Sequence, residues 1–470
     1  MKTLVRHLLL LLSGIILFVL DGYSRAGGGG GHHSSSGGHS SGSFHSSGFS
    51  GTGGGGGSMG IVGILIILFV VVVIFVILFS VMRKKVQSAL GEGTSDFPPV
   101  DLTVLGPEFN EELFMNKVRV AFPAIQDAWM NKNLSQVRRW ITDGVYQRFN
   151  AQFIMMRLLE QDNKLSRIRI NGMNLVEAEA QGKYFAVTVA IQFTMDDEFR
   201  SKNHPEFDER FSGDTATEYW TFIRKAGVPE KDLYLTNSCP GCGHELNKDG
   251  GEVSKCPSCG SITYLGDYDW VLCEITQEED FAPKSVTAGI LALHVQPLYD
   301  NTQENFSIQL MEDKASNAIM QYFASVATKD VKYLRRFMSD ELMARIEEQA
   351  KQQTGIVFNR LFLNKVDLSA YAQTEGRHQL TFDISYSAMR LAESKSGLVK
   401  LDEEAEKSDV TLILSKKVGA VAKNKLWSFE CASCGAPYSD TTDTTCSYCS
   451  AKINSADTDW VVTTLEPLGR

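Results

Sequence analysis

From residue 108 onward, apolar residues recur first at helical spacing and then at strand spacing. Leu113, Val120, Ile125 and Trp129 share one face of a predicted helix from about Glu108 to Met130. Pro123 is placed to kink or split it. A short helix over about Ser135 to Trp140 follows, and a third from Gly144 to about Asn163. The period then drops to two: Ile168 and Ile170, and later Val187, Val189, Ile191 and Phe193, alternate with other residues. Tyr219-Trp220-Thr221-Phe222-Ile223 reads as a further strand, and after an interruption the chain resumes at Trp270-Val271-Leu272. Helices first and strands after predict an α+β fold, an antiparallel sheet with helices on one face.

The same text is written twice. Phe109-Asn110-Glu111-Glu112-Leu113-Phe114 is echoed by Phe306-Ser307-Ile308-Gln309-Leu310-Met311, and Val137-Arg138-Arg139-Trp140-Ile141-Thr142-Asp143 by Leu334-Arg335-Arg336-Phe337-Met338-Ser339-Asp340. The two domains are expected over 108–277 and 304–467, joined by a linker at 278–303. In the second, Val410-Thr411-Leu412-Ile413 replaces the aromatic strand.

Each copy carries two Cys-x-x-Cys pairs: Cys239/Cys242 with Cys256/Cys259, and Cys431/Cys434 with Cys446/Cys449. An Asp-Trp pair follows each quartet, at Asp269-Trp270 and Asp459-Trp460. Four thiolates on two tight knuckles match the tetrahedral demand of Zn²⁺, so each quartet reads as a structural zinc ribbon, at 237–262 and 429–452. Four protein ligands leave no open position for a substrate. The alternatives are iron on the same knuckles, a redox dithiol, or disulfides. His244 beside the first knuckle reads as a bystander, and Cys273, in the run Trp270 to Ile275, as a small core residue.

The N-terminal end is of another kind. Lys2 and Arg6 precede the apolar stretch Leu8–Leu20, and Ser24-Arg25-Ala26 offers small residues at a signal-peptidase site, so residues 1–26 read as a secretory signal peptide. The rival is an uncleaved first anchor. Residues 27–58 are almost wholly Gly, Ser and His, a composition that builds no core and reads as a disordered spacer. Its histidines, His32, His33, His39 and His45, read as incidental rather than as a preorganised metal site. Ile61–Met82 is apolar apart from Ser80, and Arg83-Lys84-Lys85 follows at once. Its 22 residues suffice for one transmembrane helix. The basic flank predicts a single-pass protein of the cell membrane, N-terminus outside and C-terminal domains cytoplasmic, where thiols stay reduced. Residues 86–107 read as a linker.

The formal net charge is −10, and the first 85 residues carry a basic excess, so the remainder is more acidic still. An acidic body argues against a nucleic-acid partner, which needs clustered Lys and Arg. It carries no Gly-x-Ser-x-Gly, no phosphate-binding loop and no His-Glu-x-x-His. His294, in an apolar run, reads as a core or linker histidine, and Asp196-Asp197-Glu198 as a solvated turn. Arg138-Arg139 and Arg335-Arg336 read as a solvated helix face or as an anion contact. Trp129, Trp140, Trp220 and Trp270 read as core. No catalytic residue is assigned.

Val137-Arg138-Arg139-Trp140, Glu218-Tyr219-Trp220-Thr221-Phe222-Ile223-Arg224 and Asp269-Trp270-Val271-Leu272 together resemble a known family. The chain looks like the C-terminal domain of the mitochondrial inner-membrane import tether, the forty-four-kilodalton Tim subunit, and its bacterial relatives. The resemblance covers roughly 105–277 and, more weakly, 303–467. It implies a cone-like α+β fold akin to nuclear transport factor two, with an apolar pocket between sheet and helices. It also implies a membrane-associated, non-enzymatic module that binds a protein or lipid. The tether's basic chaperone-contacting segments have no counterpart here, so an import-motor role does not carry over. The alternatives are an enzyme using the cone pocket and a nucleic-acid binder acting through the ribbons.

Overall fold

The structure, a computed structural model, describes residues 99–246, 252–282, 291–300, 305–352, 355–394, 397–438 and 443–467. The signal peptide, the spacer, the apolar segment 61–82 and most of the first linker lie outside the described residues. Among the described residues, no helix is long and apolar enough to cross a membrane.

The first copy opens with a 3₁₀ turn, Leu102–Leu105, that buries Leu105 inside the stretch read as linker. Helix α1 follows (Glu111–Met130). Asn110 starts it: its side chain accepts the Leu113 amide at 2.9 Å, and Glu111 and Glu112 meet the positive end of the dipole. Pro123 lies inside α1 without splitting it. A 3₁₀ turn at Arg138–Trp140 leads to α2 (Asp143–Leu158). The helix ends five residues before the expected Asn163, because Glu160 adopts a left-handed φ of 49° that turns the chain into a strand. Asn163 thus stands in β1, where it accepts the Trp129 indole N–H at 2.7 Å.

Strands β1 (Gln161–Gln181), β2 (Tyr184–Ser201), β3 (Glu209–Lys225) and β4 (Val271–Gln277) form one antiparallel sheet in that order. Val187 faces Phe222 and Trp220 faces Ile275 across the ladders. The alternating residues Val187, Val189, Ile191 and Phe193 turn their buried side chains to α1 and α2. Phe122 packs between Phe193 (4.9 Å between centroids) and Trp220 (5.1 Å). These rings occupy the space between sheet and helix where the family resemblance implies a pocket. Trp129, Trp140, Trp220 and Trp270 are all core.

The order of elements recurs in the second copy, with α3 (Ile308–Thr328), a 3₁₀ turn at Lys332–Arg336, and α4 (Asp340–Gln352). Strands β5 (Ile356–Thr374), β6 (Arg377–Ser394), β8 (Glu406–Lys417) and β9 (Val461–Glu466) follow in one sheet, with the short β7 (Gly397–Lys400) paired to β6. Each cysteine quartet falls between the last two strands, β3 and β4 or β8 and β9. A parallel bridge joins the pre-helix turn to the final strand in both copies, Ile141 with Leu272 and Met338 with Val462. Within the segment read as the second linker, the helical turn Gln296–Tyr299 buries Leu298, and Val295 beside it is fully buried. His294, expected in a core or linker, is exposed.

The two copies share a core. Ala151 and Met155 of α2 and its C-cap Leu159 pack in one core with Ala315, Ala318 and Ile319 of α3. Gln152 donates to the Leu361 carbonyl at 2.9 Å, and Arg360 lies over Phe199 at 3.7 Å. The contact is not reciprocal. The α4 residues that correspond to Gly144, Arg148 and Ala151 are Glu341, Arg345 and Glu348, all exposed. Charge closes the face that would otherwise extend the array.

Candidate metal centres and their surroundings

Four knuckles are built alike. The amide of the first cysteine in each pair donates to a carbonyl five residues on: Cys239 to His244 at 2.7 Å, Cys256 to Ser261, Cys431 to Ala436 and Cys446 to Ala451 at 2.8 Å. Its own carbonyl accepts an amide from the returning turn, Gly243, Gly260, Gly435 or Ser450. That residue needs a left-handed φ, 77°, 74° and 77° at the three glycines. Ser450 adopts 60° with a side chain in place. His244, exposed, contributes its backbone carbonyl alone among the bonds of its knuckle.

The quartets converge. In each, the four Sγ atoms all lie within 4.8 Å of one another, with the first cysteine of each pair buried and the second exposed. Cys239 and Cys259 are 3.6 Å apart, Cys242 and Cys256 3.7 Å, and the pairs Cys431–Cys449 and Cys434–Cys446 each 3.8 Å. Zn–S bonds near 2.3 Å in a tetrahedron require S···S separations of about 3.8 Å. A disulfide would require about 2.05 Å. Both quartets are therefore compatible with a tetrathiolate ion. The Ser261 hydroxyl and amide hold the Cys259 thiol down to about 6, favouring the thiolate that a metal needs. Burial pushes Cys239 up to about 11, a cost that a cation between the sulfurs offsets.

The Asp-Trp pairs pin each cysteine-bearing segment to its sheet. Asp269, fully buried, accepts the Trp270 amide at 2.8 Å, the Leu233 amide at 2.9 Å and the Lys117 ammonium at 2.6 Å. Lys117 also pairs with Glu230. In the second copy Asp459 accepts the Trp460 amide at 2.7 Å and Asn424 at 3.0 Å. Lys314, the counterpart of Lys117, lies 5.0 Å from the centroid of Trp427 instead.

Arg138 does not lie on a solvated face; the anion it contacts is a carboxylate of this same chain, Asp143. It is fully buried. Its Nε donates to the Glu252 carbonyl and Nη1 to the Ile141 carbonyl, both at 2.6 Å, and Nη2 to Asp143. Its guanidinium lies 3.5 Å from the centroid of Tyr264, beyond the fourth cysteine. Arg139 donates to Asn237 at 2.8 Å. In the second copy Arg335 reaches Glu347 at 2.9 Å and Asp340 at 3.6 Å. The acidic run read as a turn lies in β2. Asp196 is bound by Arg167, Ser212 and Gly213, while Asp197 is buried against Asn163 at 2.5 Å.

Cys273 is buried in β4 and donates to the Thr221 carbonyl at 3.2 Å, a core residue as its apolar setting indicates. A cleft of about 1300 Å³ opens between the copies, lined by Ile308, Leu368 and Phe281 and by Glu177, Glu274, Glu312 and Asp367 against Lys183 and Lys365. It is distinct from the sheet–helix space of either copy.

The family described as "Tim44-like domain" matches residues 102–237. The match stops two residues short of Cys239, so both quartets and β4 lie beyond it. No curated protein matches. Among solved structures, the chain is similar to an "Ntf2 like protein involved in plasmid conjugation", at 8% identity over 51% of this chain and 77% of that one, with a TM-score of 0.10.

Proposed function

We propose that this chain is a membrane-anchored, non-enzymatic binding module that holds a protein or lipid partner at the cytoplasmic face. Its two α+β domains would supply the surface and two structural Zn²⁺ ions would brace them. The observation that carries this reading is the Tim44-like match over 102–237, a family of membrane-associated binding domains. The apolar segment Ile61–Met82 with its Arg83-Lys84-Lys85 flank supports the anchor and its orientation. The second domain is read as a diverged copy of the first, cone-like in the same sense.

The eight cysteines Cys239, Cys242, Cys256, Cys259, Cys431, Cys434, Cys446 and Cys449 would hold the metal. A tetrathiolate ion closes the hairpin in which each quartet sits and contributes on the order of 10 kcal/mol to folding. It does no chemistry, since no coordination position is open. The residues around the quartets orient and bury the thiols; none is placed to activate a substrate.

The test uses the full chain in native membranes. It should stay with the membrane through an alkaline wash. A cysteine at Ser47→Cys should react with an impermeant maleimide on intact cells, and one at Ser369→Cys only after lysis. Photo-crosslinking should then recover one partner class reproducibly from the cytoplasmic side. Release by the wash, or labelling at Ser369→Cys on intact cells, refutes the anchored topology.

A further inference from the structure

The first cysteine quartet stands in a continuous line of contacts that ends at the other copy. Tyr264, five residues past Cys259, is fully buried and joins Ile262 in a small cluster with Leu426 of the second copy. Its ring carries the Arg138 guanidinium. Arg138 in turn ties the Glu252 carbonyl, four residues before Cys256, to Asp143 in the first turn of α2. The Glu252 carboxylate accepts Gln147 of the same helix at 2.6 Å. Beside Asp143, the Thr142 hydroxyl and Gly144 amide donate to Asp313 of α3 at 2.5 and 3.0 Å. The first turn of α2 is thus clamped by the ribbon on one side and by the second copy on the other.

The second quartet reaches the same cluster by an apolar contact, through Phe429, two residues before Cys431, but its polar partners stay within its own copy. Asn454, in the place of Tyr264, donates to Met338 at 2.6 Å and to Asp340 at 3.2 Å, within its own copy. Arg335, in the place of Arg138, also bonds within its copy. The asymmetry follows from the heterologous packing of α2 on α3.

From this geometry we infer that the first metal site is a latch on the two copies. Closing the quartet fixes Tyr264 and Glu252. These fix Arg138 and the start of α2, and α2 is the surface on which α3 docks. Loss of the first ion would release α2 from α3 and open the acidic cleft between the copies, while each sheet stays folded. Loss of the second ion would loosen Phe429 in the shared apolar cluster but leave the polar clamp on α2, and with it the α2–α3 docking, in place. The chain would then report its metal or thiol-redox status as a change in the relation of its two domains. The inference rests on the metal reading of the quartets, and its test separates the two.

The test is hydrogen exchange on the full chain, with metal content measured on the same samples. In Cys239→Ser/Cys256→Ser, one ion of two should be lost, and amides of 143–158 and 308–328 should exchange roughly tenfold faster or more while the β1–β2 ladder stays protected. In Cys431→Ser/Cys446→Ser, one ion should be lost and those helices should keep their protection. Arg138→Met/Asp143→Asn, which removes both charges together, should retain two ions and still loosen the same helices. Loss of the first ion with α2 and α3 unchanged overturns the latch, as does loss of protection throughout both sheets. If the wild type holds no metal, the metal reading fails. The relay through Arg138 is then decided by the charge-neutral variant: loosened helices support it, and unchanged helices end it.

Discussion

Asp313, in the long helix of the second copy, caps a helix in the first: its carboxylate accepts the Gly144 amide at 3.0 Å. A carboxylate at a helix N-terminus meets unpaired amides and the positive end of the dipole. The approach requires glycine, since a Cβ at residue 144 would lie 2.2 Å from Asp313 Oδ1 and 2.6 Å from its carbonyl oxygen. Gly144→Ala should therefore push α3 away and cost roughly 2 kcal/mol, as overpacked contacts do. Denaturant unfolding of the full chain should show the lower midpoint. An unchanged midpoint would mean that the helices separate without cost.

The same carboxyl makes the docking sensitive to pH. Burial pushes Asp313 up to about 7, with Asp143 adding to the rise and the Thr142 hydroxyl, the Gly144 amide and Arg138 opposing it. The unfolded value is about 4, so between these limits the native state binds more protons than the unfolded. The penalty for ionising Asp313 is then full above pH 7 and relieved as pH falls toward 4. Stability should fall as pH rises through this window. Asp313→Asn should reduce that slope, leaving the parts from Asp269, which burial pushes up to about 6, and from Asp143 and Glu252, which burial also raises. A slope equal to that of the wild type would remove Asp313 from the account.

Lys117 holds two carboxylates, Asp269 at 2.6 Å and Glu230, beneath the first ribbon. Replacing it with Met strands Asp269 in the core without a cation, at a cost of roughly 3–5 kcal/mol. Lys117→Met/Asp269→Asn should recover a large share of that loss, because the orphaned charge is gone. Midpoints of thermal unfolding for the single and double variants give the comparison. Equal midpoints would show that the pair, and not the stranded charge, carries the effect.

How much of this could be read along the chain follows from how local each signal is. The quartets were legible because a Cys-x-x-Cys knuckle is a turn of a few residues, and its repetition is visible. The strands around Val187 and Trp220 were legible through their two-residue alternation. The end of α2 was overrun because Leu159 remains apolar where the chain already turns at Glu160. Arg138 was misread because its burial depends on Tyr264 and Glu252, which only the inserted ribbon brings to it. The docking of Asp313 on Gly144 joins residues of different copies. The one hint was a glycine in a helical first turn where the other copy has Glu341. That contrast tells of a close approach and not of its partner.

The fourth knuckle departs from the other three by placing Ser450 at φ 60°. A left-handed residue with a Cβ costs roughly 1 kcal/mol relative to glycine there. Ser450→Gly should stabilise the second ribbon by up to about that amount, less the greater freedom glycine has in the unfolded chain. If the second quartet holds an ion, the readout is the chelator concentration that strips half of it, which should rise. A fall would show that the serine side chain contributes more than its backbone costs.

Nine cysteines divide eight to one if the quartets hold metal. Thiolates bound to an ion are shielded from alkylation, and a chelator frees them. Cys273 is protected for another reason: it is buried in β4, bonded to the Thr221 carbonyl, and burial pushes its thiol far from the thiolate form. Alkylation of the native chain, read by mass, should therefore rise by eight adducts on chelation, and the ninth should appear only on unfolding. Cys242, Cys259, Cys434 and Cys449, the exposed member of each pair, should be modified first. Eight reactive thiols before any chelator would show that no ion guards them. A ninth adduct in the folded chain would place Cys273 outside the core.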